Sequence, residues 1–303
     1  MTRRSYVSFS VPHKEGKRFL LLLRDLDCAD GWHESYLFNG RLALPHFGDT
    51  FDMDDPRFLK LLDLLNREGV KWSERRENFY TDAELRETPL LTLMVDRKPL
   101  DGEGIEYGTT YDLSNACKRC GTGAVQTSPL LMPLNALPKK GQLCQTARGD
   151  VLVGSELRQA LLDATVSGLE LRQVLLYRTC ERVAWWQMVT AYEMPKLSAR
   201  TKGLGRVERP GWGCMVCKRD MHVQVGDEPA ELFYDRAAVN YGSLPDVVHT
   251  WECFGRSVIA DDPMRQLVRG FALPRILLKP RVFGIFRKPE VKGACFEPVR
   301  IAD

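Results

Sequence analysis

Two short cysteine pairs constrain this sequence more than any other feature. The first spans Cys117–Cys120, with Gly121 directly behind it, and the second spans Cys214–Cys217. Each Cys-x-x-Cys pair presents two sulfur atoms from one tight turn, and a tetrahedral zinc ion takes two such turns. Glycine suits the position after the first pair, because the chain there often needs a positive φ. We therefore predict one structural zinc ion with four cysteine ligands, which are Cys117, Cys120, Cys214 and Cys217.

Other interpretations of the pairs stay open at the sequence level. A Cys-x-x-Cys redox motif is expected at the end of a strand, where it opens a helix. The residues before the pairs, 115–116 and 211–213, are not apolar strands. The cysteines can also be unrelated buried thiols, since the 93 residues between Cys120 and Cys214 exceed the roughly 15–20 of a compact zinc ribbon. His222, just downstream of the second pair, could replace one cysteine ligand.

The composition indicates a globular protein of ordinary kind. The chain has 303 residues, of which 44% are hydrophobic and 27% charged, enough for one large domain or two ordinary ones. Its net charge of +3 is too small to argue for a nucleic-acid partner. The apolar run at residues 19–23 is too short for a signal peptide or a membrane span. Five further cysteines show no pairing pattern, which favours a reducing cytoplasm, and they are Cys28, Cys144, Cys180, Cys253 and Cys295.

Local patterns predict an α+β protein with mixed sheets and short helices. Asp55 at the N-cap, Pro56 at the first helical position and Gly69 beyond the end predict one helix. Its apolar stripe consists of Phe58, Leu61, Leu62 and Leu65. Residues 5–11 and 19–23 are predicted as two strands joined by a polar turn. Further predicted strands are 32–38, 90–95, 185–189 and 231–234. Residues 129–134 are either an edge strand or an extended loop, and 246–255 is either a short helix or an extended segment.

A strand–helix–glycine–strand pattern occurs twice, at about residues 151–175 and 276–300. Seven positions match without a gap at an offset of 125 residues, each pairing apolar with apolar or glycine with glycine. The matched residues are Val153, Leu157, Leu161, Val166, Gly168, Leu171 and Val174 in the first copy, and Leu278, Val282, Phe286, Val291, Gly293, Phe296 and Val299 in the second. We predict an internal repeat, with Ser155 capping the first helix and Pro280 opening the second. The alternative is a pattern generic to short strand–helix–strand pieces.

Two regions follow from this organisation. Residues 1–105 are predicted as an N-terminal α+β region, and residues 106–303 as a region that contains both cysteine pairs and both copies of the repeat. Each copy lies downstream of one cysteine pair, so a zinc-ribbon-like site made from two distant turns would lie at a junction between related halves.

No recognised catalytic motif occurs in the sequence. The chain contains no dinucleotide or phosphate loop, no His-Glu-x-x-His helix and no Gly-x-Ser-x-Gly elbow, and no histidine has the Glu spacing of zinc deaminases. Four cysteine ligands would also close the coordination sphere of the metal. We therefore predict no enzymatic activity. The flanking cations either contact phosphates or offset the −2 charge of a zinc tetrathiolate, and these cations are Lys118, Arg119, Lys218 and Arg219.

Several of these segments resemble the double-CXXCG proteins, a paralogous family of myxobacteria. The resemblance covers roughly residues 105–303 and is weaker before them. It rests on Cys117–Ala124, Val153–Leu157, Gly168–Arg172, Cys214–Asp220, Thr250–Gly255 and Gly293–Val299. The second pair departs from the family name, because Lys218 stands where the glycine would be.

The resemblance implies an immunity protein of a toxin–immunity system. Such a protein binds and blocks a cognate protein toxin and has no catalytic role. The alternatives are a zinc-containing nucleic-acid-binding or regulatory protein, and an enzyme whose site follows no recognised motif. Neither the residues nor the resemblance indicates which toxin is bound, which face binds it, or the oligomeric state.

Overall fold

The computed structural model describes residues 1–33, 44–96, 99–207, 213–226, 228–255 and 273–303, and the predicted α+β class is confirmed. Contacts divide the chain into two units. The first unit contains Met1–Thr81 and Val225–Pro229, and the second contains Asp82–Gln224 and Ala230–Asp303. Both cysteine pairs and both copies of the repeated pattern belong to the second unit.

The first unit is an antiparallel sheet with two helices. Its elements are β1 (Thr2–Ser10), α1 (His13–Asp25), β2 (Trp32–His33), β3 (His46–Asp52), α2 (Pro56–Arg67) and β4 (Trp72–Phe79). The strands lie in the order β2-β3-β1-β4, and each pair of neighbours is antiparallel. Alternation along β1 buries one face of the strand against the helices. The resulting core includes Val7, Phe9, Phe19, Leu23, Phe47, Phe51, Phe58, Leu61 and Leu65.

The predicted strand at residues 19–23 is wrong, because these residues form part of α1. Phe19 and Leu23, one helical turn apart, are buried, whereas Leu21 between them is 59% exposed. This burial follows the helical period, and a run of five apolar residues does not distinguish a strand from a helix. The strand predicted at residues 5–11 is confirmed by β1.

The helix predicted from Asp55, Pro56 and Gly69 is confirmed by α2. The Asp55 carboxylate accepts a hydrogen bond from the backbone N–H of Arg57 at 2.8 Å, which satisfies a donor at the start of the helix. Gly69 lies two residues beyond the end with a φ of +65°. The buried residues of the helix are Phe58, Leu61, Leu64 and Leu65.

The second unit contains all the remaining elements. They are α3 (Asp82–Arg86), β5 (Leu90–Val95), β6 (Tyr111–Asp112), β7 (Val125–Gln126), β8 (Leu131–Met132), β9 (Leu143–Gln145), β10 (Val151–Gly154), α4 (Ser155–Asp163), β11 (Glu170–Leu176), β12 (Arg182–Val189), β13 (Leu204–Arg206), β14 (His222–Gln224), β15 (Leu232–Asp235), β16 (Val247–Phe254), β17 (Leu273–Leu278), α5 (Pro280–Phe286) and β18 (Ala294–Ala302).

These strands form two larger sheets and one hairpin. The five-stranded sheet has the order β8-β11-β12-β10-β9, and the seven-stranded sheet has the order β13-β14-β16-β17-β5-β18-β15. Strands β6 and β7 pair only with each other. Strand β5, which precedes the predicted boundary at residue 105, lies between β17 and β18.

The two segments of the repeated pattern have the same local arrangement. In the first, β10 and β11 both run antiparallel to β12 between them, and in the second, β17 and β18 both run antiparallel to β5. The register also corresponds. Leu152 and Arg172 lie opposite the same residue of the middle strand, and so do Leu277 and Glu297, each 125 residues further along the chain. Positive φ values, +76° at Gly168 and +85° at Gly293, precede the last strand of each segment.

The helices of the two segments meet in one hydrophobic core. Residues from β10 and α4 pack in the same cluster as residues from β17 and α5, together with Leu93 of the middle strand β5. We call this cluster the shared core. Its buried members from the two segments are Val151, Val153, Leu157, Leu161, Leu278, Val282, Phe286 and Val291.

An ion pair between a buried carboxylate and a half-exposed arginine links the same two segments. Asp246 is 4% exposed and pairs with Arg281 of α5 through both carboxylate oxygens. The same carboxylate accepts a hydrogen bond from the backbone N–H of Ser167 at 2.7 Å, in the turn between α4 and β11. Arg281 also donates to the carbonyl oxygens of Ala164 and Thr165 at the end of α4, so one side chain ties both helices together.

One sequence expectation is wrong in detail. Ser155 does not cap α4, because the N-cap residue is Gly154 and the side-chain oxygen of Gln142 accepts the N–H groups of Glu156 and Leu157. A cap supplied from the loop before β9 cannot be seen in local sequence. Of the two forms expected for residues 246–255, the extended one is confirmed, since Val247–Phe254 form β16. The part of the predicted third strand beyond residue 33 lies outside the described residues.

Replacing Asp246 tests the ion pair. Burial alone raises the pKa of Asp246, but the hydrogen bonds from Arg281 and Ser167 outweigh it and hold the pKa well below the usual 3.8. We expect Asp246→Asn to lower the free energy of unfolding by about 1–3 kcal/mol at pH 7, because the half-exposed Arg281 and the Ser167 N–H both lose a charged hydrogen-bond acceptor.

The pH dependence of that loss follows from the depressed pKa. A carboxylate with a depressed folded pKa contributes stability above its unfolded pKa, and the contribution is lost as the pH falls toward the folded value. The difference between wild type and Asp246→Asn, measured by urea denaturation, should therefore shrink between pH 5 and pH 3. A difference that stays constant over this range would exclude the ion pair as its source.

Candidate metal centre

The first cysteine pair lies at the tip of the β6–β7 hairpin. The backbone N–H of Gly121 donates to the carbonyl oxygen of Cys117 at 2.8 Å, and the N–H of Cys117 donates to the carbonyl oxygen of Thr122 at 2.9 Å. Gly121 has a φ of +74°, as expected from its position after the pair. These bonds close a tight turn that presents both sulfur atoms on one side.

The second pair forms the same turn without a glycine. The backbone N–H of Lys218 donates to the carbonyl oxygen of Cys214 at 3.1 Å, which matches the bond from Gly121 to Cys117. Lys218 has a φ of +57°, a left-handed conformation that costs a non-glycine residue about 1–2 kcal/mol. Lys218 therefore replaces the glycine of the double-CXXCG motif, but the turn keeps the same shape.

The structure brings the four predicted cysteines together. Their sulfur atoms all lie within 4.8 Å of one another, an arrangement that could hold a metal ion. The Sγ atoms of Cys117 and Cys214 are 3.7 Å apart, and those of Cys120 and Cys217 are 3.5 Å apart. A tetrahedral ion with bonds of about 2.3 Å requires sulfur atoms about 3.8 Å apart. The spacing therefore fits a metal ion bound by four thiolates.

Close packing of the thiols shifts their proton affinities in opposite directions. The contact with Cys120 lowers the pKa of Cys217 to about 5, and the same contact, together with burial, raises the pKa of Cys120. Burial also raises the pKa of Cys214. Four thiols this close cannot all ionise alone, because their negative charges repel one another, and a bound cation would remove that penalty.

Polar contacts fix the backbone of Cys214 on both sides. Both carboxylate oxygens of buried Asp220 accept its N–H at 2.9 Å, and Arg206 donates to its carbonyl oxygen at 2.8 Å. The Nη2 atom of Arg206 and the Oδ1 atom of Asp220 are themselves 3.5 Å apart. Sequence reasoning missed both residues, because neither occupies a position that metal-ligand motifs specify. Arg206 lies in β13, and its contact with the second cysteine pair follows from the fold and not from a sequence pattern.

Two different sheets carry the two turns. Gln126 of β7 exchanges side-chain hydrogen bonds with Gln187 of β12, which joins the first hairpin to the five-stranded sheet. Arg219, behind the second pair, donates to the carbonyl oxygen of Trp251 at 2.9 Å, and its own carbonyl oxygen accepts the N–H of Cys253, both in β16 of the seven-stranded sheet. The cysteine cluster therefore bridges the two sheets.

Two of the cations that flank the pairs have protein partners nearby. Lys118 donates to the carbonyl oxygens of Leu113 and Ser114, and Arg219 pairs with the Glu193 carboxylate. The group of four residues that could hold a metal ion contains cysteines only, and His222 is not part of it. Burial lowers the pKa of His222, whose ring packs 6.4 Å from that of Phe254.

Comparison with known proteins supplies no name for this site. The chain matches no family model and no curated protein sequence. In the part of the chain that the structure describes, no helix has the length and apolar character needed to cross a membrane.

Removing one sulfur tests the cluster. We expect the wild-type protein to bind one metal ion per chain and Cys214→Ser to lose it, because three thiolates and a hydroxyl bind far more weakly than four thiolates. Elemental analysis of the purified proteins measures the metal. Cys180→Ser is the matched control, since Cys180 is exposed and lies outside the cluster. Full metal content in Cys214→Ser would contradict the assignment.

A glycine at position 218 should relieve the second turn. We expect Lys218→Gly to raise the free energy of unfolding of the metal-loaded protein by about 1 kcal/mol, because it removes the left-handed strain. Lys118→Gly is the control, since Lys118 is not among the residues with positive φ and gains nothing from a glycine. Urea denaturation of the three proteins makes the comparison. Equal stabilisation by both substitutions would contradict the explanation.

Proposed function

We propose that this protein is a non-enzymatic, zinc-stabilised immunity protein that binds and neutralises a cognate toxin in the bacterial cytoplasm. The observation that carries the proposal is the closed group of four sulfur atoms at Cys117, Cys120, Cys214 and Cys217, which leaves no ligand position open for a substrate. The resemblance of residues 105–303 to double-CXXCG proteins adds the toxin as the partner.

Zinc is the ion that this ligand set favours. Tetrahedral sites with four soft thiolate ligands are typical of zinc or iron, and sites that combine two Cys-x-x-Cys turns are commonly structural zinc sites. Elemental analysis separates the two metals directly. In this proposal the ion holds the two turns, and through them the two sheets, in the geometry that the partner recognises.

The placement of the flanking cations gives less support to a nucleic-acid-binding role. Such a role needs cations free to contact phosphates and affinity that falls steeply with salt. Lys118 donates to two backbone carbonyls, and Arg219 is paired with Glu193 and lies over the Trp251 ring. These positions suit offsetting the charge of a zinc tetrathiolate better than presenting a surface to phosphates.

Co-expression with the neighbouring gene tests the immunity function. We expect the product of the adjacent open reading frame to arrest growth when expressed alone, and expression of this protein to restore it. The wild-type protein, used as bait in the native host, should retain that product, and Cys214→Ser should retain much less, because the bridge between the sheets is lost. Cys180→Ser should behave as wild type.

Two results would contradict the proposal. One is failure to retain any product of an adjacent gene while the bait holds its full complement of metal. The other is retention that disappears after nuclease treatment and falls steeply with salt, which would favour the nucleic-acid alternative.

A further inference from the structure

A cavity of about 640 Å³ lies in the second unit beside the cysteine cluster. Residues of the first cysteine turn and residues directly after the second turn line it, including Cys120, Gly121 and Arg219. The remaining wall comes from the loop before β10, from β11 and β12, and from β16 and β17, so the cavity lies between the two sheets that the cluster bridges. Its volume is within the range of small-molecule sites, about 300–1,000 Å³.

The wall of the cavity combines apolar and polar side chains. Val125, Val151, Met188, Leu273 and Ile276 contribute aliphatic surface. The polar side chains in the wall include arginines, glutamines and Tyr111. This combination is typical of pockets for ligands that have an apolar body and one group fixed by charge or hydrogen bonds.

Most of the polar groups in the wall already have partners. Arg172 forms two parallel hydrogen bonds of 2.8 Å with Glu170, and Arg219 pairs with Glu193. Asp150 accepts hydrogen bonds from Gln187 at 3.0 Å and from the Thr146 hydroxyl at 2.9 Å. These groups are therefore already engaged in hydrogen bonds or ion pairs within the protein.

Arg148 is different. It lines the cavity, its guanidinium lies 4.7 Å from the centre of the Tyr111 ring, and its Nη1 nitrogen is buried with no hydrogen-bond partner. No carboxylate in the described ranges forms an ion pair with it. The hydroxyl of Tyr111 is also buried and unpartnered. A buried guanidinium nitrogen and a buried hydroxyl without partners carry a desolvation cost that an anionic acceptor would offset.

A buried acid interacts electrostatically with Arg148. Glu103 is 5% exposed, and burial raises its pKa to about 7 although the charge of Arg148 opposes the rise. Gly149 lets the loop that carries Arg148 pack against the apolar wall, since a Cβ there would lie 2.5 Å from Leu273.

We propose that this cavity binds a small organic anion, a molecule that joins a carboxylate or phosphate group to an apolar body, with Arg148 receiving the anionic group. The aliphatic wall of β17 receives the apolar part. Because the first cysteine turn and the residues directly after the second turn line the cavity, we expect binding to require the metal-loaded form. The inference does not rest on the immunity function.

Matched ring compounds test the site on the full-length, metal-loaded protein. Benzoate and phenyl phosphate supply the two kinds of anionic group, and benzyl alcohol supplies the same ring without charge. Isothermal titration calorimetry or ligand-detected NMR should show binding of at least one anion, with affinity about tenfold or more above that of benzyl alcohol. The stronger anion identifies the preferred group.

Substitution at position 148 links binding to the arginine. Arg148→Met should weaken anion binding about tenfold or more, and Arg148→Lys should weaken it less, because it keeps the charge but loses the fork of donors. Arg178→Met is the control, since Arg178 is exposed and lies over the Tyr177 ring, outside the cavity. It should bind the anions as wild type does.

Crystals soaked with 4-bromobenzoate locate the ligand independently of any variant, through the anomalous signal of bromine. Bromine in the cavity supports the proposal even if Arg148→Met fails to fold. The proposal is overturned by bromine found only elsewhere, by lack of binding of both anions, by equal binding of benzyl alcohol, or by a folded Arg148→Met that binds as wild type.

Discussion

One contact, the cluster of four cysteine sulfur atoms, determines how the two larger sheets of the second unit are joined beside the cavity. One pair is carried by a hairpin tied to the five-stranded sheet, and the other by a turn tied to the seven-stranded sheet. A structural zinc ion contributes about 10–16 kcal/mol of apparent binding free energy, which is comparable with the total stability of a domain, about 5–15 kcal/mol. The proposed ion would therefore dominate the stability of this junction.

The body of the second unit is held together differently. The shared core packs α4 against α5, and the ion pair of Asp246 with Arg281 ties the ends of the same two segments. The two repeated segments pair with β12 and β5 in matching register, so they are similar structural pieces. They pack against each other through the shared core. Hydrophobic burial thus supports the two pieces, whereas the cysteine cluster sets the position of the turns beside them and of one wall of the cavity.

Sequence reasoning reached the features whose signals are local or chemically specific. Asp55 and Pro56 marked a helix start, and the two cysteine pairs pointed to one cluster because sulfur spacing is dictated by the metal. It failed at residues 19–23, where a short apolar run is compatible with both a helix and a strand. It also missed the cap from Gln142, the clamp of Asp220 on Cys214 and the exposure of Arg148 to a cavity. None of these features follows a sequence motif: the cap comes from a residue 14 positions away, the clamp spans six residues without a ligand spacing, and the cavity forms only when the sheets pack.

X-ray absorption at the zinc edge of the purified protein measures the central contact most directly. The account predicts zinc with a first shell of four sulfur atoms at about 2.3 Å. A shell in which nitrogen or oxygen replaces sulfur would show that the four cysteines do not act together. Protein that carries no metal and contains a disulfide within the cluster would contradict the metal bridge between the sheets.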